Sequence, residues 1–180
     1  MSKLIIITGH LAALKTTIAK RLSNDLHLLS FIKDDIKEIL GDHIGFQNRE
    51  ENLKLSKATF QLQKEYAKQA LAKGQHVIVE GNFKVNENAQ LKELVHDDQI
   101  LSLFLTAKED VLYERYLKRQ TLRHQVHTST GLMSFDTFKK VMAEYHFKDC
   151  IGDTRIIDTT FYNDQVYDQL FIDVKNFIAS

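Results

Sequence analysis

The sequence holds one cysteine, no proline and no tryptophan in 180 residues. A lone thiol, Cys150, cannot close an internal disulfide, so a reducing compartment suits the chain. Cys150 also lacks a nearby histidine-and-acid pattern and reads as structural or incidental. Without proline there is no proline-rich linker, and no repeat or low-complexity segment interrupts the chain. No apolar run approaches the roughly 20 residues that a membrane-spanning helix needs. No charged leader precedes the first apolar run, and a cytoplasmic location is expected. An excess of charge of one sign is missing too, since 24 basic residues balance 24 acidic ones. Neither a nucleic-acid partner nor a membrane surface is expected from that balance. The rest is ordinary globular composition, 43% apolar and 27% charged. The length suits one domain, residues 1–180, with its own core.

Apolar periodicity alternates strands with helices. Residues 3–8 read as a buried strand, 15–26 as a helix with Ile18, Ala19, Leu22 and Leu26 on one face, and 28–32 as a short strand. A helix opens at Asp34 and Asp35 and is expected to stop at Gly41. A long helix follows over 50–73, with Leu53, Phe60, Ala67 and Leu71 as its buried stripe and Gly74 as its end. Strands at 76–80, 99–105 and 154–158 alternate with helices near 87–95, 108–122, 134–146 and 164–178. The stretch 123–133 is polar and aperiodic. This alternation predicts an α/β fold, a parallel sheet with helices on both faces. Ligands of such sheets bind beyond the C-terminal ends of the strands. That rule points to Gly9–Thr17, Asp34–Lys37 and Glu80–Phe83.

The first of these segments carries the sharpest motif. A phosphate-binding loop reads Gly, four residues, Gly, Lys, then Ser or Thr, between a strand and a helix. Here Gly9 is followed by His10, Leu11, Ala12 and Ala13, then Leu14 in place of the second glycine, then Lys15, Thr16 and Thr17. Main-chain N–H groups and a helix N-terminus at one point bind phosphate. Lys15 is expected to reach the β- and γ-phosphates of ATP, Thr16 to hold Mg²⁺, and Thr17 to meet the α-phosphate. Leu14 is compatible with this if its φ stays negative and its side chain turns toward the core.

Other segments carry further signatures: Asp34-Asp35-Ile36-Lys37-Glu38-Ile39-Leu40 after the second strand, and Glu80-Gly81-Asn82-Phe83 after the third. Arg115, Arg119 and Arg123 are spaced by four, and Arg123-His124-Gln125-Val126-His127 follows. In this order the chain resembles the P-loop kinases. It is similar in particular to small bacterial ATP-binding proteins related to zeta-toxin and chloramphenicol phosphotransferase kinases. Some of those carry Arg-His-Pro-Gly-His where this chain has no Pro or Gly. The resemblance implies a P-loop NTPase fold, three-layered, with a five-stranded parallel sheet in order 2-3-1-4-5. It also implies a nucleoside/nucleotide-kinase-like architecture, with an acceptor-side helical region over 41–73 and a helical lid over 115–133.

The chemistry is legible from the residues as well. Phosphoryl transfer needs charge neutralised and an acceptor aligned. Asp34 is expected to take or orient the acceptor's proton, or to cap its helix, or both. Asp35 reads as an exposed first-turn charge. Lys37 either binds an anionic group of the acceptor or is a solvated helix charge. Glu80 sits at the Walker B position. It either binds Mg²⁺ through a water or bonds the acceptor, because a buried unpaired carboxylate is a poor structural element. Asn82 is a substrate contact or a turn residue, and Phe83 is a core residue. Arg119 and Arg123 are expected to neutralise the transferring phosphoryl group from the lid, with Arg115 against the nucleotide. His124 and His127 lack a close cysteine or carboxylate in sequence and are not expected to bind zinc.

The expected function is transfer of the γ-phosphate of ATP to a hydroxyl or phosphate of a small-molecule acceptor. The alternative is a degenerate loop that senses nucleotide without turnover. A GTPase is disfavoured because Asn-Lys-x-Asp is not in place. Neither the acceptor nor the oligomeric state follows from the sequence. Lys15→Ala is expected to abolish ATP binding in calorimetry while circular dichroism shows an unchanged fold.

Overall fold

Every residue of β1 (Leu4–Gly9) is buried, as befits a central parallel strand covered on both faces. A computed structural model describes all residues except 121, 122 and 128–130. After β1 the chain runs through α1 (Lys15–Leu26), β2 (Leu29–Ile32), α2 (Lys33–Ile44) and α3 (Arg49–Ala72). Next come β3 (Val77–Glu80), α4 (Val85–Lys92), β4 (Ile100–Thr106) and α5 (Glu109–Gln120). The last elements are α6 (Phe135–Met142), β5 (Asp153–Asp158) and α7 (Asp164–Ala179). The five strands form one parallel sheet in the order β2-β3-β1-β4-β5, the order that the resemblance implies.

Alternate residues of β1 feed two cores. Ile5 and Ile7 pack with Ile18, Leu22, Leu112, Phe138, Tyr167 and Leu170, from α1, α5, α6 and α7. Leu4 and Ile6 pack with Phe60, Ala67, Leu71 and Leu91, from α3 and α4. This is the period-two alternation of a strand sandwiched between helical layers. Among the described residues no helix is long and apolar enough to cross a membrane.

Three sequence expectations are corrected. Gly41 does not stop α2. The helix continues to Ile44, because Gly41 serves instead as a gap that admits Val126, whose Cγ2 would lie 3.1 Å from an added Cβ. The turn is made at Gly45, with φ 77°. Leu53 is 52% exposed and is not part of the buried face of α3. That face runs through Asn52, Leu55, Thr59, Phe60, Gln63, Ala67, Ala70 and Leu71. Three of its members are polar and so escape a search for apolar periodicity. Finally, α6 ends at Met142 rather than near 146, after starting from the expected Ser134 cap, whose Oγ accepts from Thr137 N–H. The polar stretch 123–133 lies partly outside the described residues.

Gly152, just before β5, has φ 69°, and a Cβ there would lie 2.3 Å from the Ile100 carbonyl oxygen. Gly152→Ala is therefore expected to destabilise the fold by roughly 3 kcal/mol or more, read as a lower midpoint in urea denaturation with an unchanged slope.

Candidate active site

The loop after β1 turns because Gly9 has no side chain. Its φ is 123°, and a Cβ would sit 2.1 Å from the Leu105 carbonyl oxygen. The next amide, of His10, donates to that same carbonyl at 2.9 Å. His10 Nδ1 also lies 2.9 Å from Thr106 Oγ1 on β4. Ala12 and Leu14 both occupy the left-handed region, with φ 60° and 64°. The expectation that Leu14 keeps a negative φ is thus overturned. The backbone retains the glycine-type conformation without the glycine, at a cost of about 1–2 kcal/mol per residue. Packing offsets part of that cost: Ala12 and Ala13 are buried, and Leu11 and Leu14 lie against the core beneath the loop. Leu14 precedes α1 with no side-chain cap, so the first amides of that helix stay available to an anion. Thr16 is half-buried at the start of α1 and Thr17 is exposed.

Lys15 folds back over this loop. Its ammonium donates to the Gly9 carbonyl at 3.2 Å and the His10 carbonyl at 2.6 Å. Burial pulls its pKa down, against the opposing field of Glu80 and Asp34. Burial pushes the Glu80 carboxyl up, against the opposing field of Lys15. Glu80 is 3% exposed, and its Oε2 has no hydrogen-bond partner among the described residues. A buried acid at the end of β3, in the field of an ammonium at the start of α1, is costly as structure alone.

Asp34 lies in the first turn of α2, which has no side-chain cap at its N-terminus. It is turned toward the segment that follows α5: Arg123 Nη2 lies 3.9 Å away and His127 Nδ1 3.8 Å away. Asp35 takes the exposed role foreseen for it, paired with Lys20 at 2.8 Å. Lys37 is half-buried; its pKa is lowered by burial, and its ammonium lies 3.5 Å from the Val126 carbonyl. The same carbonyl accepts from Asn52 Nδ2 at 2.8 Å. His127 Nε2 lies 3.1 Å from Glu38, and His124 Nε2 lies 2.9 Å from Asp42. Residues 123–127 are therefore clasped to α2 and α3, and the two histidines find carboxylates distant in sequence.

Arg119 is exposed at the end of α5, and its charge helps to depress Lys15. Arg123 Nε is buried without a partner among the described residues. Arg115 stands apart, with its guanidinium donating to Thr159 Oγ1 and to the Thr159 carbonyl at 3.2 and 2.7 Å. That ties the start of the lid region to the turn after β5; residues 121, 122 and 128–130 of that region lie outside the described residues. Asn82 has a buried Oδ1 without a hydrogen bond among the described residues. Phe83 is buried in the core beside Phe60. Sequence reasoning missed Asn52 and Gln63, buried polar members of α3. It also missed Lys33, whose ammonium lies 3.2 Å from Glu87.

A strand, a glycine turn, a lysine over the turn and acids at two neighbouring strand ends describe a nucleotide cradle. A family model described as an AAA domain matches residues 5–128.

The chain belongs to this AAA domain family.

The family match, together with a solved structure 27% identical to it, places the chain in the P-loop kinase superfamily. A "putative kinase" from Chloroflexus aurantiacus J-10-fl is 27% identical, with TM-score 0.81, covering 98% of each chain. A sugar kinase from Janibacter sp. HTCC2649 is 16% identical, with TM-score 0.66, over 97% of this chain and 95% of that one. A gluconokinase from Sinorhizobium meliloti 1021 is 13% identical, with TM-score 0.65, over 98% and 94%. The last two show likeness of fold. No curated protein sequence matches the chain.

In this AAA domain chain, Leu14→Gly removes a strained left-handed leucine but also loses packing and adds freedom to the unfolded chain. These effects nearly cancel, so stability is expected to change by less than about 1 kcal/mol. Affinity for MgATP, measured by calorimetry, is expected to rise severalfold because no Cβ crowds the loop.

Proposed function

We propose that the chain is an ATP-dependent kinase that transfers the γ-phosphate of ATP to a hydroxyl or phosphate group of a small molecule. One observation carries this reading: Lys15, bent over the glycine turn, lies in the combined field of Glu80 and Asp34 from adjacent strand ends. A strand–helix connection with no ligand has no use for that charge arrangement.

The residues fit the nucleotide. The helix-start amides after Leu14 and the Lys15 ammonium form a cradle for a polyphosphate. Lys15 is satisfied by two carbonyls that phosphate oxygens would replace. The cradle comprises Gly9, His10, Leu11, Ala12, Ala13, Leu14, Lys15, Thr16 and Thr17, and Arg115, held by Thr159, would contact the nucleotide. The donor set also fits Mg²⁺, with the Thr16 hydroxyl as a direct ligand and the orphaned Glu80 Oε2 as acceptor from a bound water. When present, that ion supplies charge neutralisation between the phosphates.

Asp34 accepts or orients the proton of the acceptor hydroxyl, whose oxygen then bonds to the γ-phosphorus as ADP departs. Arg119 and Arg123 neutralise the oxygens of the moving phosphoryl group. Lys37 and Asn82 hold the acceptor. The names of the solved neighbours, sugar kinase and gluconokinase, support a small acceptor.

A second reading is favoured by the strained Ala12 and Leu14: a nucleotide sensor without turnover. Incubation with ATP, Mg²⁺ and a panel of sugars, hydroxy acids, nucleosides and antibiotics separates the two. Acceptor-dependent ADP release is expected, whereas binding without release would favour the sensor. Asp34→Asn is expected to lower kcat by about 10²- to 10⁴-fold with ATP affinity within a fewfold of the original.

A further inference from the structure

Gln63 sits in the middle of α3 with no exposed surface (0%). A buried glutamine persists where its amide is used. Its Nε2 donates to two carbonyls on two different strands, those of Phe31 at 2.5 Å and Glu80 at 2.8 Å. Both carbonyls lie at the C-terminal end of the β2–β3 ladder, where Phe31 pairs with Val79 and Ile32 with Glu80. Beyond that point the ladder gives out and the two chains diverge, one into α2 and the other into the Gly81 turn. Asp34 follows three residues after Phe31, and the second carbonyl is that of Glu80 itself. The strand end that leads into Asp34 and the peptide group of Glu80 itself are thus held together by one amide.

Two observations separate this from ordinary packing. Gln63 Oε1 is buried with no partner among the described residues, a cost that an apolar residue of the same size would avoid. The same junction is tied a second time by Lys33, whose ammonium lies 3.4 Å from the Asn82 carbonyl and 3.2 Å from Glu87. Two polar side chains, Gln63 buried and Lys33 half-buried, therefore add ties at the point where the β2–β3 ladder ends.

We propose that Gln63 is a positioning residue: by bridging the Phe31 and Glu80 carbonyls it sets the placement of Asp34 and Glu80 around Lys15. It touches no substrate and acts through those two acids. The assignment rests on the kinase reading above.

Gln63→Met keeps length and bulk and removes both donors. Thr59→Val serves as the control, because Thr59 is one turn earlier, equally buried, and among the described residues its hydroxyl bonds only to the Leu55 carbonyl of its own helix. Gln63→Asn, whose shorter amide reaches one carbonyl at most, is run alongside in case the methionine variant does not fold. Two measurements are made on the full chain: hydrogen exchange across residues 33–37 and 80–83, and calorimetric affinity for Mg-ATPγS and for ADP without Mg²⁺. The glutamine variants are expected to speed exchange about tenfold in both segments, and Thr59→Val to leave it unchanged. Mg-ATPγS affinity is expected to fall about tenfold while Mg-free ADP, which relies on the loop and Lys15, stays within about twofold. Unchanged exchange, or equal loss of affinity for both nucleotides, overturns the assignment. A wild-type chain that binds neither nucleotide overturns the kinase reading and this assignment with it, and does so before any substitution is made.

Discussion

The close approach of Gly9 to the backbone of Leu105 is the constraint on which the site depends. β1 and β4 are paired along their whole length up to this contact, and the chain can leave the sheet there only because nothing projects from Gly9. Once it has left, the loop must return within five residues to start α1 at Lys15. That short return forces two left-handed residues into the turn. The helix start and the lysine are consequences of this tight exit, and so is the strain stored at Ala12 and Leu14.

Electrostatics completes what the turn begins. The C-terminal ends of β1, β2 and β3 each release a charged residue into one region: Lys15, Asp34 and Glu80. Burial alone disfavours Lys15⁺ and Glu80⁻, and each is kept in place by the other's field. Asp34 faces Arg123 and His127 instead. The Arg123 guanidinium thus places a lasting positive charge beside the acid proposed to serve the acceptor, whereas burial lowers the pKa of His127.

The fold was legible because strand apolarity and helix starts are local signals. Continuous apolar runs marked β1, β3 and β4, and the order of motifs implied the strand order. Gly41 was misread because glycine signals a stop only when the backbone needs a positive φ there; here it makes room for Val126 from a distant segment. Leu53 was misread because the buried face of α3 is partly polar. The places of the P-loop, Asp34 and Glu80 in the fold were legible because each lies at or just past the end of a strand. The conformation of Leu14 was not, since only the three-dimensional turn fixes its φ. The partners of His124 and His127 lie about ninety residues away on α2, beyond the reach of any local pattern.

Helix α3 bears two buried amides on one face, Asn52 against the Val126 carbonyl and Gln63 against the strand ends. Eleven residues of helix separate them, about 16 Å. A stiff rod pinned at two points cannot tilt without dragging both anchorages, and the motion left to it is a roll about the line joining the pins. The Val126 segment and the ends of β2 and β3 are in this sense joined as a single mechanical part.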